Sequence, residues 1–173
     1  MKKISLLLVL IMLLSSLVSC GKDGDIPEGM QLASGDDVSY VLYVPSTWNL
    51  NSYDGSNGAY YSQKDKSNIS VTSYYPDMDT QSVPEYFAKS ESSYKNVYDD
   101  YELISGEKEV VFGNKKGLKY EFKADIDGVS YQFMQIISIH DNRFYIFTYT
   151  STADNYEIHL EDVDRITENF VFR

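Results

Sequence analysis

The feature that most constrains this chain is the order of elements predicted near its C-terminal end, between residues 129 and 172. Two segments rich in β-branched and aromatic residues, 129–138 and 144–150, are joined through Asp141-Asn142, a pair typical of a tight hairpin turn. Because the second strand leads directly into a helical pattern, that helix must fold back across the sheet to bury its apolar side. Its apolar residues share one helical face: Tyr156, Leu160, Val163, Ile166 and Phe170.

The rest of the chain supplies more strands for the same sheet. Asp127-Gly128 predicts a two-residue hairpin turn just before the C-terminal pair. The C-terminal strands carry apolar residues on both faces, so we expect them to be central and covered on both sides. Alternating apolar residues predict the other strands over residues 38–44, 59–63, 69–75, 101–112 and 118–126.

Two helices are predicted to flank the sheet. The sequence Ser-Val-Pro-Glu at residues 82–85 is a capping box with proline in the first turn, which predicts a helix over residues 83–96. The C-terminal pattern predicts the second helix, over residues 154–169. The predicted fold class is α+β, an antiparallel β-sheet with flanking helices in a single globular domain, residues 36–173. The residues of the first helix expected to face inward are Val83, Phe87, Ser90, Tyr94 and Val97.

The start of the chain predicts its compartment. Lys2 and Lys3 precede an apolar run over residues 4–14. As a helix that run would rise only about 17 Å, which is too short for a hydrocarbon core of roughly 30 Å. We therefore expect residues 1–19 to be a secretory signal peptide rather than a membrane span, and the mature protein to be extracytoplasmic.

The sequence Leu-Val-Ser-Cys at residues 17–20 resembles the bacterial lipobox. The small residue before Cys20 suits a signal peptidase, and the thiol suits a thioether bond to diacylglycerol. Cys20 is the only cysteine, so neither an internal disulfide nor a multi-cysteine metal site can form. We expect Cys20 to be lipidated and residues 20–35 to be a flexible tether; the alternative is an incidental cysteine in an ordinary signal peptide.

The charge of the chain excludes one class of partner. Without Lys2 and Lys3 the chain keeps 13 basic residues against 26 acidic ones, for a formal charge of −13. Such a surface repels nucleic acid phosphates and anionic lipid headgroups. We therefore expect no nucleic acid partner, and contact with the cell membrane only through the lipid on Cys20.

Motifs that would carry chemistry are absent from the sequence. It has no nucleophile elbow, phosphate-binding loop or zinc-protease motif, and the acidic residues at 125–128 lack the remaining ligands of a calcium loop. We expect His140 and His159 to be surface residues, with metal ligation in space left open. No catalytic residue, metal ligand or cofactor is assigned, and the ligand-binding residues are unknown. The last helix is expected to carry a solvated acidic face: Glu157, Glu161, Asp162 and Asp164.

Aromatic residues leave two interpretations open. Trp48, the only tryptophan, is expected to be a buried plug beneath the turn that begins at Pro45, with a ligand platform as the alternative. The 16 tyrosines are typical both of interfaces and of half-covered sheets.

Three stretches resemble the PsbP-like family, in its bacterial lipoprotein branch. They are residues 40–48, with the corner from Pro45 to Trp48, residues 144–150, and the helix from Tyr156 to Phe170. The resemblance implies an antiparallel sheet between helices, an α/β/α sandwich. It also implies a non-catalytic role, since family members are accessory subunits of photosynthetic complexes. A Ran-binding nuclear-transport factor has the same fold.

The sequence therefore predicts a non-catalytic binding or accessory domain, held at the bacterial cell envelope by its lipid and acting on a protein partner. One alternative is a binder of a small ligand or of a divalent cation such as calcium, and another is a hydrolase acting on envelope material. A pocket lined with converging polar groups would favour the alternatives. A flat or grooved tyrosine-rich surface would favour protein binding.

Overall fold

The computed structural model describes residues 26–51, 57–76 and 80–173. The expected signal peptide and Cys20 lie outside the described residues, so lipidation stays a prediction. The strands are β1 (Met30–Leu32), β2 (Tyr40–Val41), β3 (Tyr43–Pro45), β4 (Asn49–Asn51), β5 (Asn57–Tyr60), β6 (Asn68–Tyr74), β7 (Asp99–Phe112), β8 (Lys115–Ile126), β9 (Val129–His140), β10 (Arg143–Thr152) and β11 (Val171–Phe172).

The main element is a seven-stranded antiparallel sheet in the order β4-β5-β6-β10-β9-β8-β7. Three two-residue turns join β7 to β10, and both residues of each turn have positive φ: 57° and 60° at 113–114, 51° and 77° at 127–128, and 47° and 57° at 141–142. Glycine, asparagine and aspartate tolerate this backbone better than other residues. The hairpins predicted at 127–128 and 141–142 are confirmed.

The two C-terminal strands lie in the middle of this sheet. β10 pairs with β6 on one side and β9 on the other. Side chains are buried on both faces, with Ile137 and Phe144 on one and Ile136 and Phe147 on the other. The prediction that these strands are central and covered twice is confirmed.

Helix α1 (Val83–Val97) covers one face of the sheet. The predicted capping box is present: the Ser82 hydroxyl accepts a hydrogen bond from the backbone N–H of Glu85, and the Glu85 carboxylate accepts one from the backbone N–H of Ser82. The ring of Phe87 then stacks on that of Tyr120, with centroids 3.7 Å apart. Aromatic packing therefore fixes α1 against β8.

The predicted inward position of Val97 is wrong. Its side chain is 74% exposed, because α1 ends at this residue. The next residue, Tyr98, packs on the sheet instead, with its ring 6.0 Å from that of Phe133.

The opposite face is covered by a 3-10 helix (Tyr156–His159) followed by α2 (Leu160–Glu168). The prediction of one helix over 154–169 is therefore wrong in its first part, where the chain winds more tightly. Val163 and Ile166 of α2 are fully buried. Since helices lie on both faces, the predicted α+β fold with an α/β/α arrangement is confirmed. In the described ranges, neither α1 nor α2 has the length and apolar character needed to cross a membrane.

The strand predicted over residues 38–44 is split in two. β2 pairs with β11, whereas β3 pairs with β1. Leu42 lies between β2 and β3, and its backbone groups bond to the residues that follow β1. Its N–H donates to the Ser34 hydroxyl and its carbonyl accepts from the N–H of Ala33.

The prediction of a flexible tether over residues 20–35 is wrong from Met30 onward. Met30 begins β1 and is only 7% exposed. Two arginines from the end of the chain hold this segment: Arg165 donates to the carbonyl of Glu28, and Arg173 donates to the carbonyl of Gly35 at 3.2 Å. The sequence predicts that the domain starts at residue 36, but the folded domain already includes Met30.

Candidate protein-binding site

The structure buries one of the two histidines. His140 is partly buried at the end of β9, whereas His159 is only 4% exposed, so the prediction of a surface position for His159 is wrong. The reason is a contact made 94 positions away in sequence: Nε2 of His159 lies 2.8 Å from Oδ2 of Asp65. The imidazole also packs against the rings of Trp48 and Tyr61, with centroids 5.7 and 4.2 Å away.

Both oxygens of Asp65 are engaged. Oδ2 faces His159, and Oδ1 accepts hydrogen bonds from the Ser67 backbone N–H at 3.0 Å and from its hydroxyl at 2.6 Å. Burial raises the pKa of the Asp65 carboxyl, but the hydrogen bonds from His159 and Ser67 outweigh burial and lower it to about 2. Asp65 is therefore an ionised group that holds the turn between β5 and β6.

We expect Asp65→Asn to remove the contribution that the ionised Asp65 carboxylate makes to the free energy of unfolding. Because the pKa of Asp65 is about 2 in the folded protein, against an ordinary value of 3.8, the carboxylate stabilises the native state above about pH 4 and this contribution is lost as the pH falls toward 2. Urea unfolding between pH 5 and pH 2 should show a steeper loss for wild type than for Asp65→Asn. The exposed Asp164→Asn variant should follow wild type, and identical curves for all three would contradict the assignment.

The acidic face of the last helices is mostly solvated, as predicted, with Glu157, Glu161 and Asp164 exposed. Asp162 is the exception, because its Oδ2 accepts a hydrogen bond of 2.8 Å from Nε1 of Trp48. Trp48 is only 2% exposed, so the predicted buried plug is confirmed. Within residues 26–51, 57–76 and 80–173, no three His, Cys, Asp or Glu side chains are grouped so that they could hold a metal ion.

Many tyrosines lie between α1 and the sheet rather than on the surface. Tyr94 stacks on Phe122 with centroids 5.1 Å apart, and Nε2 of Gln135 donates to the Tyr94 hydroxyl at 3.1 Å. Burial raises the pKa of Tyr120 to about 12. These side chains hold the helix on the sheet, so the tyrosine content does not by itself mark a binding surface.

β7 forms an edge of the sheet, and in the described part of the chain it pairs only with β8. Its first part is irregular: the register shifts three times between Asp99 and Lys108, and Glu107 has a φ of 45°. Such irregularity hinders pairing with another strand. From Lys108 to Phe112 the ladder is regular. These residues therefore offer an open backbone edge.

An apolar surface lies beside this regular edge, beyond the start of α1. Val111 and Ile139 are 77% and 39% exposed. A pocket of about 300 Å³ lies between Ile139 and the first residues of α1, and one of about 380 Å³ lies between Val111 and the β7–β8 turn. Lys116 borders both pockets. We call residues 108–112, together with Lys115, Lys116, Leu118 and Ile139, the β7 surface.

Three lysines against one glutamate, Glu109, give the β7 surface a local positive charge in a chain whose net charge is −11; they are Lys108, Lys115 and Lys116. Lys116 pairs with Glu109 at 2.5 Å, but the two side chains are 68% and 69% exposed, and such pairs contribute less than about 1 kcal/mol. Lys115 is in no ion pair with another described residue. The β7 surface therefore combines open backbone groups, apolar side chains and cations available to a partner.

No protein-family model matches the chain, and no curated protein matches it by sequence. Solved structures do match. The solution structure of cyanobacterial PsbP (CyanoP) from Synechocystis sp. PCC 6803 aligns with a TM-score of 0.60 at 14% identity, covering 91% of this chain and 99% of that one. The chain has a PsbP-like fold. The fold expected from the three resembling stretches is thereby confirmed.

Two further bacterial proteins share the PsbP-like fold at 14% identity. LpqN, involved in cell envelope biogenesis of Mycobacterium tuberculosis, aligns with a TM-score of 0.56 over 82% of this chain and 89% of its own. The protein of unknown function PA94 from Pseudomonas aeruginosa aligns with a TM-score of 0.59 over 83% and 97%. At this identity the likeness extends to the fold and no further.

Sequence reasoning did not find the β7 surface. Its only signals were the Val110-Val111 pair and the two lysines of the following turn. Their meaning depends on the register, which places Val111 opposite Lys116 at an edge of the sheet.

Proposed function

We propose that the protein is an extracytoplasmic, lipid-anchored domain without catalytic activity that binds a protein partner through the β7 surface. The observation that carries the proposal is the regular open ladder from Lys108 to Phe112. It adjoins exposed apolar side chains and two lysines.

The chemistry of the β7 surface specifies the partner segment. An extended segment added beside β7 would satisfy the free backbone groups of the edge, as in β-augmentation. A side chain next to the exposed Val111 would be apolar, and an acidic side chain would complement Lys115. The partner segment is therefore an extended stretch that carries both apolar and acidic residues.

The proposed location draws on the lipobox and on one structural neighbour. LpqN is involved in cell envelope biogenesis, which supports an envelope role here. A lipid on Cys20 would confine the domain to the membrane surface, and this confinement raises the effective concentration of a membrane-bound partner.

Site-specific photocrosslinking in cells tests the proposal. We expect a photoreactive benzoylphenylalanine in place of Val111 to give a covalent adduct with one protein, linked at an extended segment with apolar and acidic residues. The reason is that Val111 lies on the open edge, where the added strand would contact it. Mass spectrometry of the adduct identifies the crosslinked peptide.

The matched control uses Val97, which is 74% exposed against 77% for Val111 but lies at the end of α1. The same photoreactive residue at position 97 should give no such adduct, and Lys115→Glu should reduce the adduct formed at position 111. Equal crosslinking from both positions, or none from position 111, would refute binding through the β7 surface.

A further inference from the structure

A third pocket lies at the opposite end of the strand order from β7, beside β4, β5 and β6. Its volume is about 430 Å³, within the roughly 300–1,000 Å³ of small-molecule sites. Every described residue that lines it has a polar side chain, and one of these side chains is charged. They are Asn51, Tyr60, Ser62, Gln63, Lys66 and Asn68.

Several polar groups of this pocket remain available. Gln63 uses its Nε2 to donate to the Tyr60 hydroxyl at 3.2 Å, and Asn68 uses its Nδ2 to donate to the carbonyl of Lys66 at 3.0 Å. The amide oxygens of Gln63 and Asn68 accept no hydrogen bond from another described residue, and Lys66 is in no ion pair with one. The pocket therefore presents amide acceptors, a phenol and one ammonium group.

The wall of the pocket is held in place before any ligand arrives. In the turn from Tyr61 to Ser67, the N–H of Tyr61 donates to the carbonyl of Ser67 at 2.8 Å, and the N–H of Ser62 donates to that of Asp65 at 2.9 Å. Asp65 in turn is tied to the buried His159. A fixed wall reduces the entropy that a ligand must overcome on binding.

This chemistry matches hydroxyl-rich molecules. A hydroxyl group both donates and accepts, and so do the amides of Asn and Gln and the hydroxyls of Ser and Tyr. Lys66 adds a favourable contact for an anionic substituent. Among the described residues, no carboxylate lines the pocket, which distinguishes it from an oxygen-rich calcium site.

We propose that this pocket is a saccharide-binding site, with Gln63 and Asn68 contacting sugar hydroxyls and Lys66 contacting an acidic substituent of the sugar. The site is separate from the β7 surface, so each can exist without the other. It gives the domain a second ligand class that matches the hydroxyl-rich material of a cell envelope.

The test titrates the full-length chain, in detergent micelles, with three probes and follows backbone amide signals by NMR. Glucuronate should shift the signals of residues 60–68, and glucose should do so more weakly because it lacks the carboxylate that Lys66 binds. Cyclohexanecarboxylate, of similar size and charge but without hydroxyls, should shift none of them. Equal shifts with cyclohexanecarboxylate would show simple anion binding, and no shift with either sugar would exclude the site; both outcomes overturn the proposal.

Variants locate the binding. Gln63→Ala should weaken glucuronate binding by about fivefold through the loss of one hydrogen bond, and Lys66→Ala should remove the preference for glucuronate over glucose. Both residues are exposed, so folding should be unaffected, and the exposed Asn96→Ala on α1 is the control. Unchanged affinity in both pocket variants would place binding elsewhere and overturn the assignment.

Discussion

Replacement of Phe170 by alanine is expected to lower the free energy of unfolding by about 3–5 kcal/mol. Phe170 lies just beyond α2 and is only 2% exposed. Its ring stacks on Phe112 with centroids 4.1 Å apart and on Tyr40 at 5.3 Å. Truncation would leave a cavity between β7, β2 and the last helix. The rigid aromatic rings around it could not move together to fill it.

Chemical denaturation of Phe170→Ala measures this loss, with Val171→Ala as the matched control. Val171 is the adjacent residue but is 43% exposed, so its truncation should cost well under about 1 kcal/mol. A loss below about 1 kcal/mol for Phe170→Ala would mean that the C-terminal segment does not close the sheet.

Replacement of Cys20 by alanine is expected to abolish incorporation of a palmitate analogue completely. Cys20 is the only thiol in the sequence, so no other cysteine can carry the thioether. An anchor of two or more acyl chains holds a protein stably at the bilayer.

Labelling with a palmitate analogue tests the anchor. Wild type and the control Ser16→Ala should be labelled, whereas Cys20→Ala should not. Label on Cys20→Ala equal to that on wild type would place the lipid elsewhere or show that the labelling is not specific.

Local sequence signals predicted the parts of the fold that local physics decides. The turn pairs at 127–128 and 141–142 adopt the positive φ values that their residue types tolerate. The capping box at Ser82 begins α1 as expected. Continuous apolar character in β9 and β10 predicted central strands because each is covered on both faces.

Long-range contacts decided what the sequence did not predict. The sequence predicts His159 to be a surface residue because its partner in the fold, the partly buried Asp65, lies 94 positions earlier. The run 38–44 reads as one strand, but β2 and β3 turn to different partners, β11 and β1. The two proposed sites share this property, since an edge strand and a pocket between loops exist only once the register is set.

The meeting of the first and last segments of the domain has a consequence for how it matures. β2 pairs with β11, and Arg173 bonds to Gly35 across 138 positions of sequence. Contacts of such separation are slow to form, because the intervening chain must first be ordered. A chain leaves the ribosome from its N-terminal end, so β2 remains without its partner until Val171 and Phe172 have been synthesised. The pair of β2 and β11, and with it the complete domain, can therefore form only after translation has passed Phe172.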